Sequence, residues 1–390
     1  MQSILERWRF RLNIRVRQLM SCHLRQPARK GNHPLQVHIG HAFWGAGNAG
    51  DDFMLLGFLR EIGRQRRRVG FTCCVPENWE LLAKRYPEIT WLPYTIDARW
   101  NAIRSADCWL GLGGTPFQTD SGRFFECQLD QEWFMCQVLA KPMDFLGIGV
   151  ENSFVMQRPQ FRRAFMSVRH CWARDERSAK WLDEANPGRT TSAADLANIL
   201  FRERFAGQER NPDPHAIGFL FNFEKPTENV IDTLPVLMQG LPAERAFWLV
   251  QDPRLLPGME NDWWRRFSES LRQRLTIFNL DWESTCSTSP VDFLKWPAKV
   301  ISSRYHGALL AVWIGAKVLI VARSGKLTGL ADQFGLPRVN SVSEVSEIIS
   351  GVSAAATISL DRLESLAEIA AASVRDWLTE ASVSAGKEIE

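Results

Sequence analysis

Arg304-Tyr305-His306-Gly307 sets a guanidinium and an imidazole two positions apart, between the apolar run Val300-Ile301-Ser302 and a helical pattern opening at Ala308. Cations at the start of a helix meet backbone N–H groups and a dipole that already favour an anion. Lys326 follows the next apolar run, in Ala322-Arg323-Ser324-Gly325-Lys326. Arg304, His306 and Lys326 are therefore expected to converge on one anionic ligand. The competing reading of His306 is a structural histidine.

Three further segments have the same form. Gly45-Ala46-Gly47-Asn48-Ala49-Gly50-Asp51-Asp52 follows the first apolar run and matches GxGxxG formally. Two aspartates beside a pyrophosphate, and no acid at the tip of the following strand, speak against a dinucleotide. A tight turn capped by aspartate and a hydroxyl-handling pair, Asn48 with Asp51, both remain. Gly111-Leu112-Gly113-Gly114-Thr115-Pro116-Phe117-Gln118-Thr119-Asp120 is a glycine loop in which Gln118 and Asp120 contact a sugar, or else a plain loop. In Arg174-Asp175-Glu176-Arg177-Ser178, Arg174 either forks onto a carboxylate or phosphate, or pairs with Asp175 at the surface.

Such junctions need sheets to carry them. Apolar runs at 35–40, 69–75, 90–94, 108–113, 144–150 and 171–173 alternate with helical patterns at 52–63, 78–86 and 124–139. After a polar, proline-bearing stretch at 208–214 the alternation restarts, with runs at 215–223, 246–251, 275–280, 300–303 and 318–321. Strand and helix in turn imply parallel sheets covered on both faces. The expected fold is α/β, with two Rossmann-like domains facing a cleft at 35–207 and 215–350. A basic arm at 1–34 precedes them. A C-terminal helix and tail at 351–390 follow, the helix spanning 359–380 with Leu360, Leu363, Leu366, Ile369 and Val374 at helical spacing.

Composition narrows the class. The 390 residues carry a net charge of +3, too balanced for a nucleic-acid coat, and no apolar run reaches the ~18 residues of a membrane span. The stretch 308–322 reads as a buried helix followed by a buried strand. Eight cysteines without CxxC spacing suggest neither zinc nor a disulfide scaffold, and place the protein in a reducing cytoplasm. Sixteen tryptophans accompany three tyrosines. Most belong in a core, though Trp44, beside the first glycine segment, is a candidate for stacking on a sugar ring.

Together the segments resemble the polysaccharide pyruvyl transferase family: GNxGD at 47–51, GG…FQxD at 113–120, RDxxS at 174–178, SxRxHG at 302–307 and Lys326 beyond it. The resemblance runs from about residue 36 to about 337. Thr115 stands where a third glycine is common. The resemblance implies a GT-B-like fold and phosphoenolpyruvate as donor, its pyruvate installed as a cyclic ketal across two hydroxyls of a sugar or lipid-linked oligosaccharide. It implies Arg174, Arg304 and Lys326 on the donor's anionic groups, His306 as catalytic imidazole, and Asn48, Asp51 and Asp120 on the acceptor side.

The residue chemistry is compatible with that reaction. His306 can donate a proton to C3 of the donor, Asp51 can take one from a hydroxyl, and no step needs a metal or cofactor beyond the co-substrate. A GT-B glycosyltransferase using a nucleotide sugar is the alternative, since the same anion site can hold a diphosphate. A non-catalytic carbohydrate-binding protein is the second.

The arm is separate. Residues 1–30 carry seven Arg and one Lys against one Glu, a net of +7, so the other 360 sum to −4. On a helical wheel Leu5, Trp8, Leu12, Val16 and Leu19 share one face, with Arg7, Arg11 and Arg15 opposite. Such a helix is expected to touch a membrane interface at the cytoplasmic face, with packing on the protein body and an organelle leader as competing readings.

Overall fold

A computed structural model describes residues 4–21, 33–40, 44, 47–119, 124–223, 229–241, 243–280 and 296–387. The chain forms two compact units. The first comprises Met1–Ala46, Phe58–Asp195 and Ile369–Glu390, and the second Gly47–Gly57 with Leu196–Glu368.

The first unit is built on a seven-stranded, all-parallel sheet. Its strands are β1 (Leu35–Gly40), β2 (Val69–Val75), β3 (Ile89–Pro93), β4 (Cys108–Leu112), β5 (Met143–Ile148), β6 (His170–Ala173) and β7 (Thr190–Ser192). Their order is β3-β2-β1-β4-β5-β6-β7. Every residue of β4 and β5 is buried, which is why both read as unbroken apolar runs rather than alternating ones. Trp109, Phe117, Phe145, Phe161 and Phe165 fill one side of this sheet.

The second unit carries six parallel strands: β8 (Asp213–Leu220), β9 (Arg245–Val250), β10 (Thr276–Asn279), β11 (Pro297–Ser302), β12 (Lys317–Val321) and β13 (Arg338–Val339). The order is β10-β9-β8-β11-β12-β13. Counted from β8 this is 3-2-1-4-5-6, the doubly wound order in which ligands sit at the carboxyl edge where the winding reverses. Here that point lies between β8 and β11, where Leu220 is registered with Ser302.

The helix Tyr305–Ile314 returns from β11 to β12 and is buried along its whole length. A helix that is apolar on every side from Ala308 to Ile314 demands such a place. Its Trp313 indole donates to Asn198 Oδ1 at 2.8 Å, and Gly315 ends it at φ 93°. The 308–322 stretch is thus buried helix and strand, as its composition indicates. The tryptophans are mostly structural: Trp109, Trp172, Trp248, Trp263, Trp313 and Trp377 are all fully buried.

The C-terminal helix spans Leu360–Ser384, and from Ile369 onward it belongs to the first unit. There Trp377 packs 5.6 Å from the Phe58 ring, and Arg375 donates to Glu61 Oε1 at 3.1 Å. Strands β7 and β13, of three and two residues, escaped the sequence pattern because edge strands that short show no periodicity. No helix among the described residues is long and apolar enough to cross a membrane.

Candidate functional site

The carboxyl edge of the second sheet gathers most of the chemistry-bearing residues. At the β8–β11 junction, Ser303 N–H donates to the Leu220 carbonyl at 2.9 Å, while Ser303 Oγ accepts from Asn222 N–H at 2.7 Å. The Asn222 side chain is wholly buried, and neither its amide nitrogen nor its oxygen has a hydrogen-bond partner among the described residues. A buried amide left so is costly, by about 1–3 kcal/mol, and asks for a reason.

Gln251, directly after β9, ties two motifs together. Its Nε2 donates to Asn48 Oδ1 at 2.9 Å, and its Oε1 accepts from Gly307 N–H at 2.8 Å. Asn48 Oδ1 also accepts from Gly50 N–H at 3.1 Å, and Ala49 N–H donates to the Gln251 carbonyl. The GNxGD segment is therefore the N-terminus of the helix Ala49–Arg64, held against β9 within the second unit. Gly50 is there for close approach: a Cβ would fall 2.2 Å from His306 Nδ1. Gly50→Ala should therefore displace the imidazole and destabilise the protein by roughly 1–3 kcal/mol in thermal melts. An unchanged melting temperature would show the ring free to move aside.

His306 is 7% exposed, its ring edge-on to Tyr305 at 5.1 Å. Arg304, at the N-cap of Tyr305–Ile314, forks onto Glu260, with Nε to Oε1 at 2.7 Å and Nη2 to Oε2 at 2.9 Å. It also lies 3.5 Å from Asp252. Asp252 is buried, yet the Arg254 hydrogen bonds and the Arg304 charge hold its carboxyl below the usual range. Lys326 is half-buried at the second position of the helix Gly325–Phe334. Arg323 donates to the Ser303 carbonyl at 3.2 Å.

Asp51 has the most displaced carboxyl in this group. Burial, then the charges of Asp52 and Asp252, push it up to about 8, with Arg254 and Lys326 pulling the other way. Burial therefore favours its protonated form near neutral pH. The ionised base expected from the sequence would form against this burial.

The first unit holds the remaining residues singled out. Arg174 is 1% exposed, with Nε 3.3 Å from Asp175 Oδ2 and Nη1 3.4 Å from the Gly114 carbonyl. Gly149 lets its guanidinium lie flat, since a Cβ there would stand 2.5 Å away. Asp175 caps Glu176–Ala185 by accepting from Ser178 N–H at 2.7 Å. Gly113 and Gly114 have φ of 62° and 71°, which require glycine, whereas Thr115 is not left-handed and does not. Gln118 is half-buried. Trp44 is 2% exposed, so its ring presents almost no face for stacking. Asp120 lies outside the described residues.

Asn48, Asp51, Arg304, His306 and Lys326 thus belong to one unit, and Arg174, Gln118 and Trp44 to the other. Gln251, Asp252, Arg254, Glu260, Asn222 and Arg323 went unnoticed in the sequence. Gln251 and Asn222 stand at the tips of β9 and β8, where the junction rule applies but no glycine draws attention.

No protein-family model and no curated protein sequence matches the chain. Solved structures do. UDP-N-acetylglucosamine 2-epimerase from Rickettsia bellii has a TM-score of 0.58 at 10% identity, covering 90% of this chain and 98% of its own. The Neisseria meningitidis enzyme of that name, bound to UDP-N-acetylglucosamine, gives 0.52 at 12%, covering 90% and 100%. HepE of Anabaena in complex with UDP-glucose gives 0.52 at 12%, covering 90% and 98%. The fold is therefore the two-unit, GT-B-like α/β architecture.

These likenesses correct the pyruvyl transferase expectation and its donor, phosphoenolpyruvate. The similar structures are UDP-sugar epimerases and a UDP-glucose complex. The physical reason lies in the cations: Arg174 is buried against Asp175 and Gly114, and the Arg304 fork is occupied by Glu260.

Proposed function

We propose that the protein is an enzyme acting on a nucleotide sugar, whose diphosphate rests at the carboxyl edge of the second sheet. The observation that carries this reading is the carboxyl edge at β11 and β12, beside the β8–β11 switch point. Two helices, Tyr305–Ile314 and Gly325–Phe334, begin there after adjacent strands, and among the described residues neither has a side-chain cap hydrogen bond from its own N-cap residue. Paired helix starts with Lys326 beside them suit an anion of two phosphates. Structures of the same fold that contain UDP, UDP-glucose or UDP-N-acetylglucosamine support it.

The chemistry follows from the groups present. Breaking the bond between a sugar's anomeric carbon and a diphosphate leaves negative charge on the diphosphate, which helix dipoles and Lys326 stabilise. Asp51 holds a proton, and its neighbour Gly50 packs on His306, so a donor and an imidazole stand along the same edge. Asn222 offers a buried amide at the switch point for the rest of the ligand. Neither cofactor nor metal has a part in this reading. The six described cysteines are free thiols, Cys73 and Cys74 among them, which fits work in a reducing compartment such as the cytoplasm.

Calorimetric titration with UDP tests the proposal. UDP should bind with a Kd of roughly micromolar to millimolar, and Lys326→Ala should weaken it about 10-fold. Asn222→Leu should weaken UDP as well while raising the melting temperature of the free protein, because the unsatisfied amide is gone. Absence of binding by UDP, or tighter binding by phosphoenolpyruvate, would overturn the reading.

A further inference from the structure

The N-terminal helix Ile4–Ser21 sits on the first unit inside out. Its charged face is turned to the body. Arg11 Nη2 lies 3.3 Å from Asp130 Oδ1, and Arg11 and Arg15 stand 5.2 and 5.5 Å from the Phe134 ring centroid. Gln18 Nε2 donates to the Val138 carbonyl at 3.3 Å, Arg17 pairs with Asp97, and Ile14 is fully buried. The opposite face presents Trp8, Leu12, Val16 and Leu19, which are 71%, 60%, 46% and 69% exposed. A surface helix in a globular protein normally turns its apolar stripe inward. Here packing on the body and exposure of the stripe occur together, so packing does not account for the apolar residues.

The surroundings indicate what does. Leu12 and Val16, with Arg9, Trp100 and Arg104, line an open groove of about 720 Å³ beside the helix Ile96–Ser105. Arg9 is exposed at its edge. The first 30 residues carry +7 in a chain of net +3, and the sequence after the helix continues with Arg25, Arg29 and Lys30. A second copy would bring a like-charged arm to this face. A bilayer with anionic lipids brings hydrocarbon for the stripe and phosphates for its flanking arginines. Tryptophan and arginine flanking leucine and valine are the residues that such an interface accepts.

We propose that this face docks on an anionic lipid bilayer. The helix lies in the headgroup plane, with Trp8, Leu12, Val16 and Leu19 inserted and Arg9 and Arg104 on lipid phosphates. Its inner face stays locked to the first unit through Arg11, Ile14 and Gln18. The inference takes up the membrane contact expected from the sequence and is independent of the nucleotide-sugar site, which belongs to the second unit.

Flotation of the full chain with vesicles tests it. With equal parts phosphatidylglycerol and phosphatidylcholine, the protein should float, and raised salt should weaken it. A variant combining Trp8→Ser, Leu12→Gln, Val16→Gln and Leu19→Gln should bind at least about 10-fold less, with an unchanged melting temperature because those side chains are exposed. Arg9→Gln with Arg104→Gln should weaken binding to these vesicles and leave any binding to phosphatidylcholine alone unaltered. UDP titration of the same variants should match the parent, which separates failure here from failure of the nucleotide-sugar reading. No flotation of the parent, or equal flotation of the stripe variant, overturns the proposal. So does a parent that sediments as a dimer while the stripe variant is monomeric, because a second copy then covers the face.

Discussion

Glu260→Ala will destabilise the second unit by about 3–5 kcal/mol, the cost of leaving a buried cation without its counter-charge. Glu260 is fully buried and takes both oxygens to the Arg304 fork, and Arg304 is itself 8% exposed. The remaining acid nearby, Asp252, cannot substitute. It is already bound by Arg254 through Nε at 2.9 Å and Nη2 at 2.6 Å, and stands 3.5 Å from Arg304. Glu260→Gln keeps an acceptor for one N–H and should cost less. In a chain of two units the loss should appear as an earlier transition for one of them, by on the order of 10 °C, with the other little changed. A loss below about 1 kcal/mol would mean that Arg304 is not held by Glu260, and would return it to the ligand.

The pair also shows where sequence reasoning runs out. Arg304 stands out in the sequence because it opens a helix after a strand, a local signal. Glu260 lies 44 positions away, ahead of Trp263 and Trp264, with nothing local to connect it to β11. The alternation of apolar runs and helices was legible because parallel strands buried on both faces leave continuous apolar stretches. The attachment of residues 47–57 to the second unit was not, since it depends on Gln251 reaching Asn48 across 203 positions. Gly50 illustrates both: its place in a motif was visible, but its reason, the His306 ring, was not.

The error over phosphoenolpyruvate has a physical origin too. A guanidinium, an imidazole and a lysine at helix starts complement any compact dianion, so residue types alone do not separate a carboxylate-phosphate from a diphosphate. Separation requires knowing which cations are already committed. Arg174 and Arg304 are, each to a neighbouring carboxylate. Two adjacent helix starts, with Lys326 in the first turn of one of them, form an edge suited to two linked phosphates.

Asp51→Asn should make the protein more stable at alkaline pH while removing the proton proposed to take part in the reaction. The folded carboxyl titrates at about 8, against an ordinary value of 3.8 in the unfolded chain. Between those values the native state holds a proton that the unfolded state has released. Stability therefore falls as pH rises from about 4 to about 8, and is flat beyond. Each unit of separation corresponds to about 1.4 kcal/mol, and because Asp51 keeps partial solvent access the expected total is a few kcal/mol rather than the full product. Asparagine is isosteric and never ionises, so it should abolish that slope. Chemical denaturation at pH 5, 7 and 9 reads this out: variant and parent should nearly coincide at the lowest of these, roughly, and diverge steadily above it. Turnover of a nucleotide sugar should drop by about 100-fold or more, with UDP affinity kept. Parallel stability profiles would show that Asp51 ionises normally, and Asp52 or Asp252 would then be the carboxyl to test next.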